Sequence, residues 1–199
     1  MNSLLTIITK AFELFLVLDP IGNTGIVATL ISGFDKRRQR LILFREITFA
    51  LLLMLSIYWS GSFLLHLINV SQAAITLTGG IIFLLFAISL LFPQSSMIDI
   101  KNLEEEPFIV PISTPLIVGP SSTATLILFS HEKEMWLLHM ASILLAWLIT
   151  AVLILLGPAL LGRLGRTGMS AIEGFIGMIC TLVAVKMLLK GLKLFLADI

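Results

Sequence analysis

A chain of 199 residues that is 58% hydrophobic, only 13% charged and of mean hydropathy +1.07 has too small a polar skin for a soluble domain of its size. A net charge of +1 argues against a nucleic-acid or polyanion partner. The single Cys180 lies inside an apolar run, can form no intramolecular disulfide and says nothing about redox compartment.

A membrane helix needs roughly 20 apolar residues, and the chain offers six such runs, at 3–32, 41–64, 72–92, 108–130, 136–160 and 170–192. The first lacks a basic leader and a small-residue cleavage site and continues past residue 20, so it does not read as a signal peptide. Its centre, "LDPIGNTG", carries Asp19, Pro20, Gly22, Asn23 and Gly25, residues that cost energy in hydrocarbon or break helices. Near its start Lys10 and Glu13 stand at i, i+3 and are expected to pair. A basic loop, "DKRRQR" from Asp35 to Arg40, precedes the second run. There Arg45 is expected to snorkel to the surface, while Glu46 faces about 100° away. Glu46 reads either as an ion-pair partner of a neighbouring helix or as a gate or proton relay. Ser71 is the expected N-cap of the third run, whose Gly79-Gly80 permits close helix packing. A polar loop over 93–107 leads to the fourth run, which is interrupted at "GPSST" from Gly119. Breaks are expected at His131–Glu134 and at Gly162–Gly168. In the sixth run Ser170 and Glu173 have the S-x-x-E spacing of a capping box. Glu173 is therefore either the capping acid or a second gate or relay. Lys186 stands deep in that run, with a stem long enough to snorkel outward.

The two halves resemble each other. "ITLTGGIIFLLFAISLLF" from Ile75 aligns without gaps with "IEGFIGMICTLVAVKMLL" from Ile172, bringing Gly80 onto Gly177 and Ala87 onto Ala184. An X-Pro break occupies the same ordinal place in each half. Three runs per half make the second half run opposite to the first, the plan of an inverted repeat. The expected fold is an all-α polytopic membrane protein of six helices in a 3+3 inverted repeat, a single domain over 1–199 with repeats 1–92 and 108–199. At about 1.5 Å per residue Lys10 lies roughly 14 Å before Asp19 and Gly33 roughly 21 Å after it. Phe108 lies roughly 17 Å before Gly119 and His131 roughly 18 Å after it. In a core about 30 Å thick both breaks fall near the midplane, where irregular backbone is tolerated only if it is buried in protein or lines a cavity. Loops one, three and five carry Lys36, Arg37, Arg38, Arg40, Arg45, Lys101, Arg163 and Arg166, against Lys10, Lys133, Lys186, Lys190 and Lys193 on the other side. The basic loops are expected inside and both termini outside.

The motifs "LDPIGN", "RRQRLILFREI" and "EEPFIVPISTPLIVGPSS", with the Gly-containing third and sixth runs, resemble the MarC family of inner-membrane proteins, in its YhgN-like branch, over essentially the whole chain. The resemblance implies six helices, kinship with the lysine-exporter superfamily and an inner-membrane location. For some relatives it also implies transport of small neutral amino acids. Thr24 stands where relatives often carry Pro or another residue after Asn, a departure that bears on substrate preference.

The expected function is secondary transport, export or exchange of small neutral amino acids, with a channel or pore on the same repeat as the alternative. The expected substrate or coupling-ion site comprises Asp19, Pro20, Gly22, Asn23 and Thr24 from the first break and Gly119, Pro120, Ser121, Ser122 and Thr123 from the second. Asp19 reads as a ligand for a proton, cation or ammonium, or as a cap accepting N–H bonds from residue 22 or 23. Asn23 reads equally as a ligand or a local turn. The Ser and Thr hydroxyls would coordinate Na⁺ or a carboxylate, or else satisfy backbone carbonyls. The coupling ion would be H⁺ or Na⁺, and a homo-oligomer is left open. His66, His131 and His139 are far apart and mostly at loop edges, so no metal centre is expected. No nucleophile–base pair, phosphate loop or nucleotide fingerprint appears, so neither catalysis nor a cofactor is expected.

Overall fold

The computed structural model describes residues 3–68, 71–92, 112–132 and 135–197, and every regular element among them is helical. The expected loop 93–107 and the start of the fourth run lie outside the described residues. Helix α1 spans Ser3–Leu18 and α2 Pro20–Ile31, with Asp19 between them at φ +41°, a value uncommon for a residue with a Cβ. Pro20 opens α2, where its missing N–H costs nothing.

Helix α3 runs over Lys36–Ile68, longer than expected, because "DKRRQR" is the first turn of a helix and not a loop. The Asp35 carboxylate caps that turn, accepting the Arg37 and Arg38 N–H groups at 3.2 and 3.3 Å. Helix α4, Gln72–Leu91, is capped as expected, the Ser71 hydroxyl accepting the Ala74 N–H at 3.2 Å. A six-residue stretch of wide turns, Ile112–Ile117, contains the extended residue Thr114 (φ −139°, ψ 128°) and precedes α5, Pro120–His131.

The fifth and sixth runs are not separated by a seven-residue loop. They form one helical stretch, α6, Trp136–Ala197, interrupted only at Gly165 (φ 65°, ψ 178°). Only glycine adopts that backbone cheaply, so one residue does the work assigned to Gly162–Gly168. The expected capping box fails for the same reason. Ser170 and Glu173 lie in helix beyond Gly165, where backbone N–H groups already have partners.

Among the described residues, four stretches are long and apolar enough to cross a membrane: Lys36–Gly61, Gln72–Leu91, Trp136–Gly157 and Thr167–Ala197. The first and fourth runs are each divided into shorter pieces. Helix α6 packs along α4, α1 and α2, and α5 lies against α3 and α4. Large apolar side chains such as Phe44, Leu85, Leu148, Leu182 and Leu189 point outward, while Glu46, Ser113, Ser122, His139 and Ser142 are fully buried. This polarity suits hydrocarbon around the bundle and polar contacts within it. Glycines set the closest approaches. A Cβ on Gly80 would stand 3.0 Å from Leu188, and one on Gly177 3.0 Å from Leu90 and 3.1 Å from Leu91.

Candidate functional site

The two X-Pro interruptions meet. The Asn23 side chain, 8% exposed, donates through Nδ2 to the Leu18 carbonyl at 2.9 Å and to the Leu116 carbonyl at 2.8 Å. One amide thus joins the last carbonyl of α1 to the segment that precedes α5. The interruptions are alike locally: the Asn23 N–H donates to the Asp19 carbonyl and the Thr123 N–H to the Gly119 carbonyl, each at 3.0 Å.

Asp19 is buried and caps α2, accepting the Gly22 N–H on Oδ1 at 3.1 Å. A Cβ on Gly22 would fall 2.2 Å from Asp19 Oδ2, so the absence of a side chain there lets the carboxylate fold over the helix start. Thr24 bonds back to the Pro20 carbonyl at 2.7 Å and its methyl lies against Gly157. At the two helix starts the N–H groups of Gly22, Asn23 and Thr123 are taken locally. Gly119 provides no side-chain cap for α5. Ser121 and Ser122 are buried, with the Ser122 hydroxyl donating to the Gly119 carbonyl at 3.0 Å. Pro120, exposed at N1, starts α5 as Pro20 starts α2.

Glu46 is fully buried and does not stand apart from Arg45. The flexible guanidinium stem spans the angle between adjacent positions, and Arg45 Nε reaches Glu46 Oε1 at 3.0 Å. Ser113 donates its hydroxyl to the same carboxylate, tying α3 to the segment before α5. Trp147 Nε1 adds a bond from α6 to the Ile47 carbonyl at 2.9 Å. Glu173, half-buried on α6, lies within electrostatic reach of Asp19, as does Cys180.

A polar network missing from the sequence reading lies at the opposite end from Arg45, where α1 begins and α5 ends. Lys10 reaches Glu132 Oε2 at 3.3 Å, not Glu13. His139, fully buried and not at a loop edge, brings Nε2 to 3.4 Å from the same oxygen, a close contact with poor hydrogen-bond alignment that is an ion pair only when the ring is protonated. Its Nδ1 lies 3.2 Å from the Tyr58 hydroxyl, and its ring stacks on Phe129 at 5.2 Å. Lys10 sits 4.5 Å above the other partner of that stack, the Phe129 ring. His139, and after it Lys10, hold the Glu132 carboxyl down at about 2, against the upward pull of burial. A histidine within an apolar helical run was the available signal. Beside this network is a cavity of about 100 Å³ whose lining includes Lys10, Glu13, Glu132, Lys186 and Lys190, with His131. Among the described residues no group of His, Cys, Asp and Glu is arranged to hold a metal ion.

The family model described as MarC family integral membrane protein matches residues 4–196. The inner membrane protein YhgN of Escherichia coli is 36% identical over 193 residues, covering 96% of this chain and 98% of that protein. A UPF0056 membrane protein of Buchnera aphidicola from Schizaphis graminum is 37% identical over 191 residues, covering 94% and 96%. One from Methanocaldococcus jannaschii is 28% identical over 190 residues, covering 91% and 93%. No solved structure gives a significant match. The chain belongs to the MarC family of integral membrane proteins.

Proposed function

We propose that this MarC-family membrane protein is a secondary transporter of the inner membrane, exporting or exchanging small neutral amino acids, with six spans in a 3+3 inverted repeat. The observation that carries the reading is the Asn23 bridge. It joins two interrupted helices, 93 positions apart in the chain, through carbonyls freed by the interruptions. Discontinuous helices meeting inside a bundle supply transporters with backbone ligands and half-helix charge. Two further observations support the repeat. In the ungapped alignment Gly80 corresponds to Gly177 and Leu91 to Leu188, and Gly80 packs on Leu188 while Gly177 packs on Leu91. A pseudo-two-fold axis produces such reciprocal contacts. Ala87 and Ala184, matched in the same alignment, are both fully buried.

The substrate or coupling-ion site on this reading comprises Asp19, Pro20, Gly22, Asn23 and Thr24 with Gly119, Pro120, Ser121, Ser122 and Thr123. The helix start at Ser121–Ser122, which lacks a side-chain cap, suits a carboxylate. Asp19 and the carbonyls ending α1 suit an ammonium, H⁺ or Na⁺. The small residues around both breaks favour a compact solute such as alanine over an aromatic one. Glu173, in electrostatic reach of Asp19, is the better placed relay. Glu46, held by Arg45 and Ser113, acts as a staple. The basic start of α3 faces the cytoplasm on this reading, and both termini face outward.

The test is flux of labelled alanine in proteoliposomes, with and without H⁺ and Na⁺ gradients. Saturable counterflow is expected, and Asp19→Asn should insert and fold while losing flux or its ion dependence. Asn caps a helix nearly as well as Asp, so full activity with unchanged ion dependence would make Asp19 a cap alone. Non-saturating ion flux without alanine movement would replace the transporter with a pore.

A further inference from the structure

We infer that the cavity where α1 begins and α6 ends is a second binding site, for a compact zwitterion, with Lys186 and Lys190 receiving its carboxylate and Glu13 its ammonium.

The charges fall within the depth of the membrane, with Glu13 half-buried and Lys186 and Lys190 exposed on the flank of α6. At about 1.5 Å per residue Glu13 stands roughly 9 Å along α1 from Asp19. Lys186 stands roughly 9 Å along α6 from Cys180, which is in electrostatic reach of Asp19. With the interruptions near the centre of a core about 30 Å thick, both charges lie inside the hydrocarbon slab. Ionisable groups at such depth face a water-filled cavity or a partner and mark solute pathways.

The charges are also uncommitted. Lys10 and Glu132 neutralise each other. Among the described residues no ion pair engages Glu13, Lys186 or Lys190, although all three line one cavity. Lys186 and Lys190, one helical turn apart on α6, present two cationic heads along one face. Glu13 is contributed by α1. Cations and an acid on separate helices, left unpaired around shared space, are complementary to one molecule that carries both signs. A lysine head and a carboxylate each form charge-assisted bonds, the strong kind in a water-poor setting.

Volume limits the ligand. About 100 Å³ has room for several waters or one solute of a few heavy atoms. Phe83 and Val183 line the cavity with apolar contact, and its volume keeps the ligand's side chain small. A larger amino acid, or one with a third charge, would leave that charge against hydrocarbon side chains.

This site rests on the transporter reading only for its purpose, because binding is measurable without flux. The experiment is equilibrium dialysis of labelled alanine against purified full-length protein in detergent, with propionate and ethylamine as competitors. Alanine should bind, and each one-charge analogue should need at least tenfold higher concentration to displace it. Lys186→Gln and Glu13→Gln should each weaken one of two classes of alanine site tenfold or more, while Lys193→Gln, outside the cavity, should leave both within twofold. Lys186→Met reads the same loss if Lys186→Gln is not recovered folded. Wild-type affinity in the Lys186 and Glu13 variants overturns the site. So does failure of alanine, glycine and serine all to bind the wild type, as for a cavity that holds water only. Propionate competing as well as alanine overturns the zwitterion. Unchanged alanine binding in both variants beside normal flux refutes this site and leaves transport standing. Binding that depends on Lys186 and Glu13, without wild-type flux, refutes transport and leaves the site standing.

Discussion

Replacing Asn23 by Ala tests the joint between the two interrupted helices. The amide spans two buried carbonyls, Leu18 at 2.9 Å and Leu116 at 2.8 Å. Leaving a buried polar group without its partner costs about 1–3 kcal/mol in soluble proteins. Inside membrane bundles single interhelical bonds average about 0.6 and reach about 1.7 kcal/mol, because the inserted unfolded chain also finds partners. A carbonyl has two lone pairs and tolerates the loss of one donor better than an N–H would. Two bonds lost together therefore place Asn23→Ala at roughly 1–3 kcal/mol of destabilisation. The control is Thr24→Val one position on. Thr24 is as deeply buried, but its hydroxyl only bonds back to Pro20 in the same helix. Such back-bonds add little to a helix, so the expected loss is at most roughly 0.5 kcal/mol. Reversible unfolding in mixed detergent micelles, followed by circular dichroism, measures both. If Asn23→Ala is no less stable than Thr24→Val, the bridge does not hold the interruptions together.

Three further outcomes are expected. The Glu132 carboxyl, held at about 2 in the folded chain against an ordinary 4.5, adds stability that is fully present above pH 4.5 and is lost as pH falls toward 2. Thermal melting of wild type in detergent should fall over that window and that of Glu132→Gln should not; parallel curves would refute the network. Gly157→Ala should destabilise by roughly 1–3 kcal/mol, because its Cβ would stand 2.6 Å from the Thr24 methyl, and Thr24→Ser in the same chain should recover most of the loss. In a Cys180→Ala background, an impermeant thiol reagent on whole cells should label single cysteines at positions 2 and 198 and spare position 38; the reverse pattern would invert the orientation.

What the sequence made legible was local chemistry. Ser71 just before an apolar run is an N-cap because the hydroxyl needs only the N–H three residues on, and that bond forms. Pro20 and Pro120 mark helix starts because proline lacks an N–H, and both open helices. Errors arose where local rules competed. Lys10 and Glu13 satisfy the i, i+3 rule, yet Glu132, carried in by α5, offers Lys10 a half-buried carboxylate shared with His139. Asp35 turned a basic loop into helix by capping it. Gly165 alone replaced a loop because one residue with positive φ suffices to end one helix and begin another.

The sites resisted reading for a related reason: polar side chains in an apolar bundle look alike in sequence, whatever they bond. Many hydroxyls, those of Thr24, Thr76, Thr125, Ser142 and Thr181 among them, bond the carbonyl four residues back. A hydroxyl used in this way satisfies itself at low cost, and in the cluster Ser121–Thr123 the Ser122 hydroxyl is likewise taken locally, by the Gly119 carbonyl. Carboxylates and ammonium groups have no such local refuge. Asp19 and Asp35 fold onto the helix starts they precede, Asp19 because residue 22 is glycine. Glu46 and Glu132 need partners from other helices, which no spacing rule reveals. Glu13, Lys186 and Lys190, three of the charged groups that no ion pair engages among the described residues, line shared space, and the inferred solute of both signs would offset the cost of charge there.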